Sequence, residues 1–113
     1  MTDPLLEPFD LAGLRLRNRI FSSSHSPGYN VDGTPSDRYV RYHEEKAAGG
    51  IGLTIIGGSS NVSRDSASLW GQLSFGSDAI VDPLADMVER VHAHGAAIMC
   101  QLTHMGRRNV SND

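Results

Sequence analysis

Apolar and polar positions along this chain alternate between short continuous apolar runs and longer stretches with helical spacing. Leu11, Leu14 and Leu16 flank Gly13, which predicts a short hairpin or a leading strand over Leu11–Arg17. Ile20 and Phe21 make Arg19–Ser23 a short buried strand. A loop rich in turn formers follows, with Pro27, Gly28, Asn30, Asp32 and Gly33. Thr34-Pro35 predicts a helix start: Thr34 caps, Pro35 takes the first helical position, and Asp37 favours the positive end of the dipole. That helix runs to about Ala48, and Gly49-Gly50 stops it.

Ile51–Ile56 is apolar or β-branched apart from Gly52, the pattern of a strand buried on both faces. Gly57–Gly76 reads as a long Ser/Gly-rich connection with Trp70 near its far end; loops this long inside compact domains are usually functional or disordered. Asp82-Pro83 predicts a second helix opened in the same way as the first. Leu84, Met87, Val88 and Val91 fall on one face of it, and Gly95 ends it. Ala96–Leu102 is the third strand, followed by Thr103–Arg108.

Strand, helix, strand, helix, strand predicts an α/β fold with parallel strands and right-handed crossovers. A dinucleotide-binding unit needs a G-x-G-x-x-G turn after its first strand, and the turn here is Ser-Ser-His-Ser-Pro-Gly-Tyr. A (β/α)8 TIM barrel instead places function on every loop that follows a strand. Polar clusters stand at all three such positions: Ser22–Ser26, Gly57–Ser60 and Gln101–Arg108. A barrel takes eight strands and about 250 residues. Residues 1–113 are therefore expected to be the N-terminal three β/α units of an incomplete barrel.

Composition narrows the function classes. The chain has 113 residues, room for one small domain, with a formal net charge of −3 that offers no basic footprint for nucleic acid. Its longest apolar runs, Ile51–Ile56 and Ala96–Cys100, are far short of the roughly 18 residues of a membrane span. Met1–Asp10 carries Asp3, Glu7 and Asp10 without a basic region, unlike a secretory signal, so the cytoplasm is the expected compartment. Cys100 is the single cysteine and has no internal disulfide partner. The polar Ser111-Asn112-Asp113 end, directly after a strand and a motif, suggests a truncated piece of a longer protein.

Each candidate for chemistry has a plainer reading beside it. Leu14–Ile20 alone reads as an amphipathic strand with exposed arginines. Ser22–Ser26 can let a flat ring lie close to the backbone, or be an ordinary polar loop around His25. Gly57-Gly58 permits close ligand approach or forms a simple turn. Gln101 leaves an otherwise apolar strand, and its amide offers a donor and an acceptor to a heterocycle. His104 and Arg107 supply positive charge to the same mouth, or are a loop histidine and a solvated cation. Cys100, between Met99 and Gln101 on a packed strand, is expected to be inert. No His/Cys spacing matches a zinc site, and spacing assigns no Ser-His-Asp arrangement.

Three motifs in order resemble one family. Leu16-Arg17-Asn18-Arg19-Ile20 is similar to its "L-x-N-R" approach to the first barrel strand. Ala48-Gly49-Gly50-Ile51-Gly52-Leu53, with Tyr42 upstream, is similar to its passage into the second. Gln101-Leu102-Thr103-His104-Met105-Gly106-Arg107 resembles its "Q-L-x-H-x-G-R" third-strand motif. The family is the NADH:flavin oxidoreductases of the old yellow enzyme class, and the motifs span nearly the whole chain. Ser24–Tyr29 and Gly57–Ser60 look most like its long, multidomain branch, that of trimethylamine dehydrogenase and 2,4-dienoyl-CoA reductase, and especially the demethylases of N-methylproline or dimethylglycine.

The resemblance implies an FMN barrel with the flavin over the strand C-termini. Ser23, Ser24, His25 and Ser26 would line it from the first strand end, Gly58 from the second, and Gln101 would bond its pyrimidine edge. Tyr29, His104 and Arg107 would shape the mouth toward a small-molecule substrate. Ser26 stands where trimethylamine dehydrogenase carries the cysteine that links its flavin, so FMN would be non-covalent. A 4Fe-4S cluster and an FAD or NAD(H) site would belong to the intact protein, as would homo-oligomerisation. The family's proton-transfer residues, FMN phosphate site and cluster cysteines would lie beyond Asp113. The implied activity is oxidative demethylation of an N-methylated amino acid or amine. The alternatives are NAD(P)H-dependent reduction of an activated C=C bond, or a non-catalytic fragment.

Overall fold

The computed structural model describes residues 3–66 and 71–108; Trp70 and the Ser111–Asp113 end lie outside them. Strands β1 (Phe9–Leu11) and β2 (Leu14–Leu16) pair antiparallel, as the spacing of leucines around Gly13 predicts. Ala12 and Gly13 both take positive φ, 50° and 92°, the geometry that matches a two-residue turn to strand twist. The Asp10 carboxylate accepts the Gly13 N–H at 2.8 Å.

Strand β3 is short, Phe21–Ser22. A second hairpin, β4 (Asn30–Val31) and β5 (Thr34–Pro35), follows, where the helix start was expected. Asp32 and Gly33 turn the chain back at φ 50° and 77°, so Thr34 hydrogen-bonds the Val31 carbonyl and does not cap. Helix α1 therefore begins at Asp37 and ends at Ala48, and Ser36 is its cap, accepting the Tyr39 N–H at 3.1 Å. Gly50, at φ 106°, turns the chain out of it.

Strand β6 spans Leu53–Asn61, longer than predicted, because Gly57 and Gly58 bulge within the strand and do not end it. Ile56 pairs with Cys100, but Ser60 is the next to pair, with Leu102. The expected long connection thus starts only after Asn61. Part of it returns alongside, with Asn61 bonded to Leu73 and Phe75. Helix α2 (Val81–Ala93) follows a 3-10 turn at Asp78–Ile80, so Asp82 and Pro83 lie inside its first turn and do not open it. Strand β7 (Ala97–Thr103) completes a parallel sheet in the order β3-β6-β7.

The core lies between this sheet and the helices. Tyr39 and Val40 of α1, Ile56 of β6 and Met87 of α2 pack with Leu73 and Ile80. Ala47, Val91 and Ala96 form a second cluster near the helix C-termini. The opposite sheet face is open. Phe21 is 59% exposed, against the expectation of a buried strand, because it points away from the helices. With Leu53, Ile55, Met99 and the β1–β2 hairpin it lines an apolar groove of about 400 Å³.

In the motif before β3, Arg15 and Arg19 are exposed as expected, but Arg17 and Asn18 fasten the fold. The half-buried Arg17 guanidinium donates to the carbonyls of Ala47 (2.6 Å), Ile51 (2.9 and 3.0 Å) and His94. One cation thereby satisfies the C-terminal ends of both helices, where the dipoles favour positive charge. Asn18 donates to the Gly50 carbonyl at 2.7 Å and accepts from the Ile20 N–H at 3.1 Å. Gly52 must be glycine here, since a Cβ would stand 2.6 Å from the Asn18 Oδ1. Among the described residues no helix is long and apolar enough to cross a membrane.

Candidate functional site

The C-terminal ends of β3, β6 and β7 meet at one edge of the sheet. Ser24 follows β3, and its hydroxyl donates to the Gln101 side-chain carbonyl on β7. Gln101 and Met99, two residues apart on β7, share the open face, so the Gln101 amide stands at the rim of an apolar floor. With its oxygen taken by Ser24, the amide N–H2 remains free to donate.

Between these strand ends sits the β6 bulge. A Cβ on Gly58 would lie 2.3 Å from the His25 carbonyl carbon and 2.5 Å from the Ser26 nitrogen. A Cβ on Gly57 would lie 2.7 Å from the Gln101 carbonyl oxygen. The two glycines let the strand-end loops close on one another. The Gly57 N–H donates to the Tyr39 hydroxyl at 3.1 Å, which anchors the bulge to the core.

His25 is held on both sides. Its Nδ1 lies 3.2 Å from the Ser23 carbonyl and its Nε2 2.6 Å from the Tyr42 hydroxyl. Tyr42 also meets Tyr29 and His43 edge-on, at centroid distances of 5.8 and 5.2 Å. The Lys46 ammonium lies 4.3 Å over the Tyr42 ring and donates to Ser22 at 2.8 Å. His43 is fully buried and shares a 2.8 Å hydrogen bond with Thr54. Burial holds its pKa down to about 4, with the charge of Lys46 acting in the same direction.

The structure thus brings Ser24, His25, Ser26, Gly58 and Gln101 together, with Ser23 supplying a carbonyl to His25. Tyr29 is packed behind them, with the Arg38 guanidinium 3.9 Å over its ring. A cleft of about 440 Å³ opens beyond Ser26, lined also by Pro27, Gly28, Asn30, Ser59 and Gly71. His104 and Arg107 are exposed; the His104 Nδ1 accepts the Gly106 N–H at 3.0 Å. Cys100 is half-buried near Ser60, and burial pushes its thiol up, away from reactivity. Sequence reasoning missed Tyr42 and Lys46 as supports of the site. Their signal is the spacing Tyr39, Tyr42, His43, Lys46, which is one helical face turned toward the strand ends. Among the described residues, no group of three His, Cys, Asp or Glu side chains is placed to hold a metal ion.

The chain is 52% identical over 107 residues to a multifunctional alkene reductase/demethylase OYE of Caballeronia cordobensis, covering 95% of this chain and 16% of that protein. It is 47% identical to a probable N-methylproline demethylase of Rhizobium meliloti, over 94% of this chain and 16% of the relative. A third relative is the N,N-dimethylglycine/sarcosine dehydrogenase of Chromohalobacter salexigens, 44% identical over 95% of this chain and 16% of its own. The chain therefore spans about one sixth of the length of these relatives. Among solved structures, morphinone reductase in complex with tetrahydroNAD superposes with a TM-score of 0.85 at 28% identity, covering 96% of this chain and 29% of that one. Residues 4–113 match the model of the NADH:flavin oxidoreductase / NADH oxidase family, and the chain belongs to that family.

Proposed function

We propose that residues 1–113 are the N-terminal three β/α units of an FMN-binding TIM barrel, and that the intact protein removes N-methyl groups from amino-acid-like amines by oxidation. The observation that carries the flavin assignment is the meeting of Ser24 and Gln101 at the rim of an apolar floor. A flavin ring has an apolar body and one polar, hydrogen-bonding edge, and this donor set fits both parts. FMN would supply the two-electron acceptor that this oxidation needs.

The residues of this chain bind and orient. Gln101, with its amide oxygen engaged by Ser24, donates N–H to the ring's polar edge. Ser23, Ser24, His25 and Ser26 form the wall at the first strand end, and the bulge at Gly58 lets that wall close against β6. Phe21, Ile55 and Met99 would supply the apolar floor of the site. Ser26 offers a hydroxyl where a thiol would be needed for a covalent link, so the flavin is held non-covalently. His104 and Arg107, both exposed, would shape the mouth, and Tyr29 would support it from behind through Tyr42. An N-methyl amine and water become the demethylated amine and formaldehyde, and two electrons and two protons pass to the acceptor.

The second reading, reduction of an activated C=C bond with NAD(P)H as donor, is favoured by the 52% identical relative, whose name joins both activities. An iron–sulfur cluster, a second nucleotide site and homo-oligomerisation would belong to the remainder of the intact protein. Anaerobic titration of that protein tests the choice. Bleaching of the flavin band by N-methylated amino acids supports demethylation. Bleaching by NAD(P)H with recovery on adding an activated alkene supports the second reading, and a colourless protein sinks both.

A further inference from the structure

We propose that Tyr42 is a positioning residue that locks His25 in one neutral tautomer, making His25 a fixed wall of the flavin site and not an acid or base. The proposal rests on the flavin reading above. The Ser23 carbonyl can only accept, so the His25 Nδ1, 3.2 Å away, carries the proton. The neutral ring's Nε2 then has a lone pair, and the Tyr42 hydroxyl 2.6 Å away donates to it. This is the Nδ1–H form, the less favoured tautomer of an unconstrained imidazole. Both nitrogens are engaged, so neither is left to exchange a proton with a substrate.

The carbonyl selects the proton's position, and Tyr42 holds the ring in the orientation that presents Nδ1 to that carbonyl, because Tyr42 is itself fixed. Its ring is wedged edge-on to His43 and Tyr29, and Lys46 lies over its face. Lys46 in turn ties back to Ser22 at the end of β3. On the other side, the His25 backbone rests against Gly58 with no room for a Cβ. The Ser22–Ser26 loop is therefore clamped between α1 and the β6 bulge, and the Tyr42 hydroxyl is the polar contact that α1 makes to it through His25.

The test uses the intact protein loaded with FMN, and Tyr42→Phe, which keeps the ring and removes only the hydroxyl. Imidazole nitrogen NMR, assigned with His25→Gln, reads the tautomer, and titration of the flavin-free protein with FMN reads affinity. The expected result is an Nδ1–H His25 in the wild type and a tautomer mixture in Tyr42→Phe. FMN affinity should fall about five- to tenfold, as for loss of one hydrogen bond. In a His25→Gln background the same substitution should change affinity by less than about twofold, because the two residues act as a unit. An unchanged tautomer in Tyr42→Phe, or an equal affinity loss in both backgrounds, overturns the proposal. A wild-type protein that takes up no FMN overturns the flavin reading instead, and the nitrogen spectra still judge the Tyr42–His25 contact.

Discussion

A methyl group on Gly58 would stand 2.3 Å from the carbonyl carbon of His25. The strand-end loop and the β6 bulge therefore touch backbone to backbone. Gly58→Ala should push them apart, beyond the strain of its φ of +69°, which costs about 1–2 kcal/mol for an L-residue. Gly28→Ala separates the two effects: Gly28 has φ +74° and open space around its would-be Cβ. Both variants should lose some stability. Only Gly58→Ala should lose FMN affinity, on the order of tenfold for a displaced contact, as read by titration of the flavin-free protein.

Gln101→Leu keeps the volume and removes the amide from the rim. FMN affinity is expected to fall about tenfold, with no more than a small change in melting temperature because Gln101 is exposed. Ser24→Ala should have a smaller effect of the same sign, since it frees the amide to rotate without deleting it. Unchanged flavin affinity and redox behaviour in Gln101→Leu would remove Gln101 from the site.

His43 makes stability depend on pH. Its pKa is about 4 in the folded chain against 6.5 for the free group, so between these values the unfolded chain holds more protons. Stability contributed by the neutral, buried ring is complete above pH 6.5 and is lost as pH falls toward 4, by up to about 3 kcal/mol. Urea unfolding of the intact protein across this window, with flavin release as the probe, should show the slope. His43→Gln should flatten it, and an equally steep slope in that variant would assign the effect elsewhere.

Arg17→Ala should be among the most destabilising changes outside the core, by about 2–4 kcal/mol, because a charged donor leaves three carbonyl partners. Arg17→Lys should recover only part of the loss, since an ammonium cannot reproduce the planar fork. Circular dichroism melts of the two variants check the order.

Much of the fold is legible in the sequence because local rules and tertiary packing agree. The leucines around Gly13, the helical faces of α1 and α2, and the glycines at Gly50 and Gly95 each fall where propensity places them. The disagreements have particular causes. Thr34-Pro35 carries a helix-start pattern, but Asp32-Gly33 makes a hairpin just before it and hands the cap to Ser36. Gly57-Gly58 looks like a strand end, yet backbone pairing resumes at Ser60 because the bulge only redirects the strand. Of the candidate site, Ser24 and His25 stand out by their position after a strand, Gly58 by its glycine pair, and Gln101 as a polar side chain on an otherwise apolar strand. Tyr42 could not be tied to His25 from the chain alone, since seventeen residues separate them and only the turn through β4 and β5 brings them together. Arg17 read as a solvated charge for the same reason: its partners lie 30, 34 and 77 residues away.

Those separations bear on how the molecule comes apart over time. Arg17 can engage the ends of α1 and α2 only after both crossovers have closed, so its bonds belong to the last stage of assembly. Contacts absent from the folding transition state act mainly on the rate of unfolding. Truncating Arg17 should leave the refolding rate nearly unchanged and shorten the lifetime of the native state, which makes this one side chain a determinant of how long the ends of the two helices stay joined.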